Sequence, residues 1–311
     1  MLRYIGSRVL QSVIVVLIAF TLTFFLLHLA PGDAAIARIG GAGDGNPEQL
    51  AALRAELGLD RPWYAAYATQ LLSVVTFQFG ESLRNGRPVI DLIAAALPNT
   101  VQIAALSLLV AAVLGTTIAL LATYTRVRWV RGVLLALPVL GMSIPTFWLG
   151  VLLLMVFSFQ LGWFPSFGSS DVRGLVLPVA TLGIVCSAAV AQVLATSLLD
   201  ASRSPYAFTA MTKGAGRWRL LLRHCLRAAS IPVLTMIGLL TGALLTGAVV
   251  IEMVFSRAGM GREILQGVEA SDFPVVQGIV MICAVIFVGV NLLVDLLYPV
   301  LDPRMRRAMR S

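Results

Sequence analysis

Apolar residues follow one another along this chain in runs long enough to cross a lipid bilayer. Uncharged stretches recur at 9–27, 98–125, 132–170, 174–199, 228–251 and 273–294. A helix needs about 20 apolar residues to span the hydrocarbon core, so each stretch predicts a transmembrane helix. The third stretch is too long for one helix, and the segment 162–165, Gly-Trp-Phe-Pro, predicts its end at the water interface. The pattern predicts an all-α integral membrane protein with six transmembrane helices.

The spacing of these runs divides the chain into four parts. We predict a first transmembrane helix in 1–30, an extracytoplasmic loop or subdomain over 31–95, a five-span domain over 96–300 and a basic tail over 301–311. The five spans are expected at roughly 98–124, 133–160, 175–199, 230–255 and 274–299.

The predicted loop before residue 95 contains two helix signals. Asn46, Pro47 and Gly58 stand at positions typical of an N-cap, a first helical residue and a C-terminal cap. The stretch 63–80 is uncharged, but it carries threonine, serine and glutamine too often for a lipid-facing helix. We therefore expect it to be an interfacial or docked helix, because a span there would also place the most basic loops outside.

Charge fixes the expected orientation. Only 12% of the residues are charged and 59% are hydrophobic, far from the composition of soluble domains. With the N-terminus in the cytoplasm, the inner segments 1–8, 126–131, 200–229 and 302–311 hold 15 of the 23 lysines and arginines. The positive-inside rule then places both termini in the cytoplasm. The net charge of +8 lies at the ends of apolar runs, which predicts contact with lipid headgroups and no nucleic acid partner.

The residues that carry most enzyme chemistry are scarce. With two histidines and three distant cysteines, no metal-ligand spacing occurs. The only lysine, Lys213, follows Thr212, whereas a Walker A motif requires lysine directly after glycine. No H-E-x-x-H or G-x-S-x-G motif occurs either. We expect no catalysis and no cofactor in this chain, so any ATP and magnesium would be bound by other subunits.

A basic segment at 200–229 interrupts the apolar pattern. Ser204 is placed to be an N-cap, Pro205 suits the first helical turn and Gly214 suits a C-terminal cap. This helix should present Tyr206, Ala210 and Lys213 along one side, a shape that fits a groove on a partner. The alternative is that the loop merely anchors the topology, as basic cytoplasmic loops do.

A second helix is predicted to start near Arg217. Its apolar side, Trp218, Leu221, Leu222 and Cys225, should lie in the acyl boundary. Arginines recur at every fourth position and should follow anionic headgroups, at Arg219, Arg223 and Arg227.

A few residues within the spans suggest further roles. Glu252 is a candidate gate or pathway residue, with a structural pair to Arg257 as the alternative. Asp295 is expected to pair with arginines of the basic tail. Pro145 is the best hinge candidate, although an ordinary packing kink explains it equally well.

Several motifs in order resemble one known family. The segment KGAGRWRLLLRHCLRAASIP at 213–232 is similar to the cytoplasmic "EAA" loop of binding-protein-dependent ABC importer permeases. The similarity extends along the chain through LAPGD at 29–33, LRAELGLDRPW at 53–63, GRPVIDLIAAALPNT at 86–100, SIPTFWLG at 143–150, GAVVIEMVFSRAGMGR at 247–262, DFPVVQG at 272–278 and NLLVDLLYPVLDPR at 291–304. Together these motifs resemble the B-type subunit of the dipeptide/oligopeptide permease subfamily.

This resemblance implies the type I transmembrane domain fold and a coupling helix that sits in a cleft of an ATPase. It implies a second, C-type permease subunit, two ATPase subunits and an extracytoplasmic substrate-binding protein in the cytoplasmic (inner) membrane. Peptides are the expected cargo, with nickel, glutathione or an oligosaccharide as alternatives. A channel or membrane scaffold without an ATPase is the alternative of a different class.

The coupling loop departs from the family pattern. Pro205 stands where an acidic residue is usual, Phe208 and Met211 stand where arginines are usual, and Ala215 replaces a common leucine. The partner groove is therefore expected to be more apolar, or the polar contacts weaker.

Overall fold

The computed structural model describes residues 2–29, 62–168 and 171–301. Within these ranges the chain is helical, apart from turns and one isolated β-bridge between Glu81 and Pro88. The predicted helix at 46–58 and the basic tail lie outside the described residues.

Eleven α-helices follow one another in these ranges. They are α1 Leu2–Leu29, α2 Trp63–Val75, α3 Val89–Tyr124, α4 Arg128–Ser143, α5 Thr146–Leu153, α6 Arg173–Ser202, α7 Pro205–Thr212, α8 Arg217–Arg219, α9 Leu226–Val254, α10 Met260–Glu269 and α11 Phe273–Leu301. A π-helical segment, Leu154–Gln160, continues α5, and a second one, Leu220–Cys225, joins α8 to α9.

Five of the described helices are long and apolar enough to cross a membrane, and a bent pair makes up to six. The five are Gly6–Leu27, Val89–Tyr124, Arg173–Ser202, Arg217–Val254 and Phe273–Leu296. Large apolar side chains such as Leu22, Leu109 and Leu239 point outward from them. An outer surface of this kind suits lipid as solvent, which confirms the prediction of a multi-pass membrane protein.

The bent pair occupies the span that the apolar pattern predicts over 133–160. Arg128–Ser143 and Thr146–Gln160 meet at an angle of 100°. Ile144 has extended backbone angles, and Pro145 is the N-cap residue of α5. A residue before proline is disfavoured in the α conformation, so Pro145 explains why the helix breaks here.

The chain divides into two compact units. The first contains Val101–Arg257 with the described residues before Val9 and from Val290 onward. In this unit α6 is the central element, because most of its residues are buried from Leu177 to Ala201. One apolar cluster surrounds its first half, and a second surrounds its last turns at Leu194 and Leu198.

Close helix packing in the first unit depends on glycines. A Cβ added at Gly115 of α3 would lie 2.7 Å from the Cβ of Val190 in α6. One added at Gly183 of α6 would lie 2.6 Å from Cγ1 of Val110 in α3. Each helix therefore offers a glycine to a valine of the other, as small residues do where membrane helices pack closely.

An ion pair joins the two ends of the chain within the first unit. The Arg8 side chain lies 3.3 Å from the Asp295 carboxylate. The sequence suggested the tail arginines as partners of Asp295, but these lie outside the described residues. Both side chains are partly exposed, so this pair is expected to contribute little to stability.

The second unit contains the described residues of Val9–Thr100 and Ala258–Gly289. Helix α2 packs on α1 through Tyr67, whose ring meets Phe20 and Phe24 edge-on with centroids 5.2 Å apart. The hydroxyls of Tyr67 and Thr21 are also hydrogen-bonded at 2.8 Å. This contact confirms the docked helix that the polar residues of 63–80 predicted.

Polar contacts hold the turn before α3 against the turn before α11 in this unit. The Ser82 hydroxyl and the Arg84 backbone N–H both donate to Oδ2 of the buried Asp272. The Arg84 guanidinium donates to the Gln266 side chain at 3.0 Å. These contacts fix two loops that the apolar pattern left unassigned.

Candidate functional site

The capped helix predicted in the 200–229 loop is present as α7. Pro205 occupies its first position and the helix ends at Thr212. Gly214 has φ +82°, and its N–H donates to the Met211 carbonyl while the Ala215 N–H donates to the Ala210 carbonyl. These two bonds form a Schellman cap, which needs a residue with left-handed backbone that glycine supplies without strain.

The start of α7 differs from the prediction in one detail. Ser204 is the N-cap residue, but its hydroxyl makes no capping bond. It donates instead to the Ala201 carbonyl at 2.6 Å, at the end of α6. This bond connects the Ser204 side chain to the end of α6, and the first N–H groups of α7 receive no bond from it.

One side of α7 is anchored and the other is open. Ala207 is fully buried in the second apolar cluster of the first unit, and Ala210 packs against the same cluster. Ala210 of the predicted partner-facing set is therefore partly covered, whereas Tyr206 and Lys213 are exposed. Phe208, 67% exposed, and Met211, 47% exposed, add apolar surface that the predicted side did not include. The sequence analysis noted both residues as departures from the family pattern, and their exposure is what the structure adds.

The helix after the cap begins at Arg217, as predicted, and its predicted apolar side is divided between the protein interior and the surface. Leu221 and Cys225 are buried in the protein with Leu220, whereas Trp218 and Leu222 are exposed. The segment Leu220–Cys225 is π-helical, which places Leu220 and Cys225 on the same side.

Arg217 points inward from the loop. Its Nη2 donates to the Thr123 carbonyl at 2.8 Å, and its guanidinium lies 5.8 Å from the centre of the Tyr124 ring. The Trp218 ring stacks on Tyr124 with centroids 4.4 Å apart. These contacts fix the start of α8 to the end of α3.

Glu252, the candidate gate or pathway residue, lies away from α7 in the first unit. Glu252 is fully buried in α9, and Arg257 beyond the helix end is 4% exposed. Burial lowers the pKa of the Arg257 guanidinium, and the charge of Glu252 raises it. The backbone N–H of Arg257 also donates to the backbone carbonyl of Glu252 at 2.8 Å. This environment favours the structural alternative of the sequence analysis, a charge held in a packed site.

We predict that Glu252→Gln destabilises the protein. Removing one partner from a pair of buried opposite charges costs about 3–5 kcal/mol, because the remaining charge is left uncompensated. Thermal unfolding of the purified chain in detergent should show a clearly lower Tm. The double variant Glu252→Gln/Arg257→Gln should lose less than the two single changes together. A double variant whose loss equals their sum would contradict the pairing.

Pro145 borders an open groove. Its neighbours Thr146 and Phe147 line a groove of about 520 Å³ together with residues of α9. The α9 residues are mostly small: Gly242, Ala243, Thr246, Gly247 and Val250. Glu252 is not among the residues that line it, so the groove does not bring the two predicted pathway residues together. Among the described residues, no group of three histidine, cysteine or carboxylate side chains could hold a metal ion.

Comparison with known proteins gives the family. A family model described as "Binding-protein-dependent transport system inner membrane component" matches residues 111–307. A second, described as "Binding-prot-dependent transport system membrane comp, N-term", matches residues 1–104. The chain belongs to the family of binding-protein-dependent transport system inner membrane components. The family expected from the motifs is confirmed, and the chain is a transport permease.

Relatives similar to this permease match over its whole length. A putative peptide transport system permease protein of Brucella abortus (strain 2308) is 37% identical, covering 98% of this chain and 99% of its own. The glutathione transport system permease protein GsiC of Escherichia coli (strain K12) is 36% identical with the same coverage.

A solved structure supports the fold of the permease. It is titled "Crystal structure of an amino acid ABC transporter with histidines", and it aligns with a TM-score of 0.53 at 18% identity. The alignment covers 67% of this chain and 94% of that chain. The ABC permease fold that the motifs implied is therefore confirmed.

Proposed function

We propose that this permease forms half of the translocation pathway of an ATP-driven importer of short peptides. A second permease of the C type forms the other half, two ATPase subunits bind ATP and magnesium, and an extracytoplasmic binding protein delivers the cargo. The complex lies in the cytoplasmic membrane with both termini of this chain inside. The observation that carries the proposal is full-length similarity to a peptide transport permease.

The geometry of α7 supports a coupling role within this complex. The helix is anchored by Ala207, capped at Gly214 and connected through Arg217 to the end of α3. Its exposed Tyr206 and Lys213 fit a partner groove, and Phe208 and Met211 give this groove an apolar character. The ATPase that receives α7 therefore offers an apolar cleft where charged contacts are usual in the family.

Reconstitution tests the function directly. The complete complex is reconstituted in liposomes and supplied with its binding protein. It should transport a radiolabelled di- or tripeptide only when ATP and magnesium are present on the side of the membrane that the ATPase subunits face. A cargo that equilibrates without ATP would identify a channel, and a complex that moves nothing under any condition would favour a scaffold.

Glutathione is the second candidate cargo, because the E. coli relative is named for it. Both cargoes are peptides with a free carboxylate, so the test is a competition between them. If short peptides in general are the cargo, several unrelated di- and tripeptides should inhibit the uptake of a labelled dipeptide. Uptake of labelled glutathione that unlabelled glutathione inhibits and other tripeptides do not would assign the system to glutathione.

A further inference from the structure

A basic cleft opens beside the coupling loop, within the first unit. It has a volume of about 550 Å³, in the size range of ligand pockets. Four arginines line it, Arg126, Arg131, Arg203 and Arg217. They come from three separate stretches of the chain: the end of α3 and start of α4, the end of α6, and the start of α8. No carboxylate is among the residues that line the cleft.

The remaining lining residues give the cleft two kinds of surface. Thr123 and Ser202 contribute polar surface beside the arginines. The apolar surface comes from Leu199, Met211, Leu220 and Leu221. A ligand that matches this lining needs an anionic head and an apolar part.

The position of the cleft along the helices indicates the headgroup layer. Two candidate spans end at its edge, one at Tyr124 and the other at Ser202. The Tyr124 and Trp218 rings stack beside it, and aromatic side chains of this kind concentrate at the boundary between membrane and water. The ligand is therefore expected to come from the membrane.

We propose that this cleft binds the phosphate headgroup of an anionic phospholipid. Guanidinium groups bind phosphate oxygens with paired, charge-assisted hydrogen bonds. The negative charge of a phosphate among several arginines also offsets the repulsion between them. Arg217 already gives one N–H to the Thr123 carbonyl, and its fork has further donors for the phosphate. The acyl chains would leave over the leucine side. This proposal goes beyond transport itself and does not depend on the cargo.

The lipid would have a defined place in the mechanism. It would join the turn between α3 and α4, the end of α6 and the coupling loop, and so add a polar link to the apolar cluster and the Arg217 hydrogen bond that already connect these elements. An occupied cleft would therefore make these elements move together when α7 moves.

Native mass spectrometry of the full chain purified in detergent tests the proposal. Phosphatidylglycerol should bind in preference to phosphatidylcholine. The variant Arg126→Gln/Arg131→Gln/Arg203→Gln should bind phosphatidylglycerol at least about tenfold more weakly, since each arginine near a membrane surface contributes measurably to anionic lipid binding. The matched control is Arg87→Gln/Arg173→Gln/Arg262→Gln, which removes the same charge from exposed positions outside the cytoplasmic loops and should bind nearly as the unmodified chain does.

Arginine labelling with phenylglyoxal provides a second measurement that needs no variant. Phosphatidylglycerol should protect Arg126, Arg131 and Arg203 from modification and should leave the exposed Arg87, Arg173 and Arg262 reactive. Equal protection of both sets, or equal loss of binding in both variants, would overturn the proposal in favour of general surface charge. Protection by inorganic phosphate but not by the lipid would also overturn it, as would a cleft variant that binds lipid normally but no longer holds the ATPase.

Discussion

Gly115→Ala is expected to prevent stable packing of α3 on α6. Its new Cβ would lie 2.7 Å from the Cβ of Val190 and 2.8 Å from the carbonyl oxygen of Ser187. A change of side-chain rotamer moves neither of these two atoms away, so the helices must separate. Overpacking of this kind costs about 1–3 kcal/mol or more, and we expect a Tm lower by roughly 5–10 °C in detergent. Fluorescence-detected thermal unfolding of the purified permease measures it.

Gly132→Ala is the matched control for this experiment. Gly132 also lies inside a helix, α4, and an added Cβ would meet nothing within 4 Å. Its Tm should remain within about a degree or two of the unmodified protein, as surface substitutions usually do. Equal losses in the two variants would show that glycine backbone freedom, and not the close approach to Val190, is what the protein requires.

The α3–α6 packing also shows what the sequence could not predict. Gly115 and Gly183 carry the closest approach between α3 and α6, and each has a small residue four positions away, but this spacing recurs at many places in the chain. A glycine becomes informative only when the opposite residue is known, and that residue is about 70 positions away in sequence.

Local signals, in contrast, were sufficient for much of the architecture. The apolar runs located the spans because lipid demands about 20 uncharged residues for each crossing. Pro205 and Gly214 located α7 because their backbone preferences act within a few residues. The break before Pro145 was expected as a hinge, but its angle of 100° depends on how α4 and α5 pack against α6.

The candidate site was predictable to the same extent. The helix α7 with its cap could be predicted from Pro205 and Gly214. Its exposed face could not, because it depends on Ala207 being the residue that packs into the apolar cluster. The basic cleft was missed because its arginines come from three stretches that are unremarkable one at a time. The π-helical segment was missed because no residue pattern in 220–225 distinguishes it from an α-helix.

The second large effect is expected for Gly214→Val, which acts on the proposed coupling role. The backbone here has φ +82°, and a β-branched residue in that conformation costs at least about 1–2 kcal/mol. The cap bonds from Gly214 and Ala215 would be lost, and α7 would change its direction relative to α8. Since 1.4 kcal/mol corresponds to a factor of ten, we expect substrate-stimulated ATP hydrolysis by the reconstituted complex to fall roughly tenfold.

Gly216→Ala isolates the cause of that loss. Gly216 lies two residues further along the same loop with an ordinary φ of −63°, and a Cβ there would meet nothing within 4 Å. An added Cβ at Gly214 would likewise meet no atom, so the valine variant tests backbone conformation more than packing. The alanine variant should keep full stimulation, and both complexes should assemble in the membrane. A valine variant that assembles and retains normal stimulation would mean that α7 does not transmit the motion of the ATPase, because its cap would then be irrelevant to the cycle.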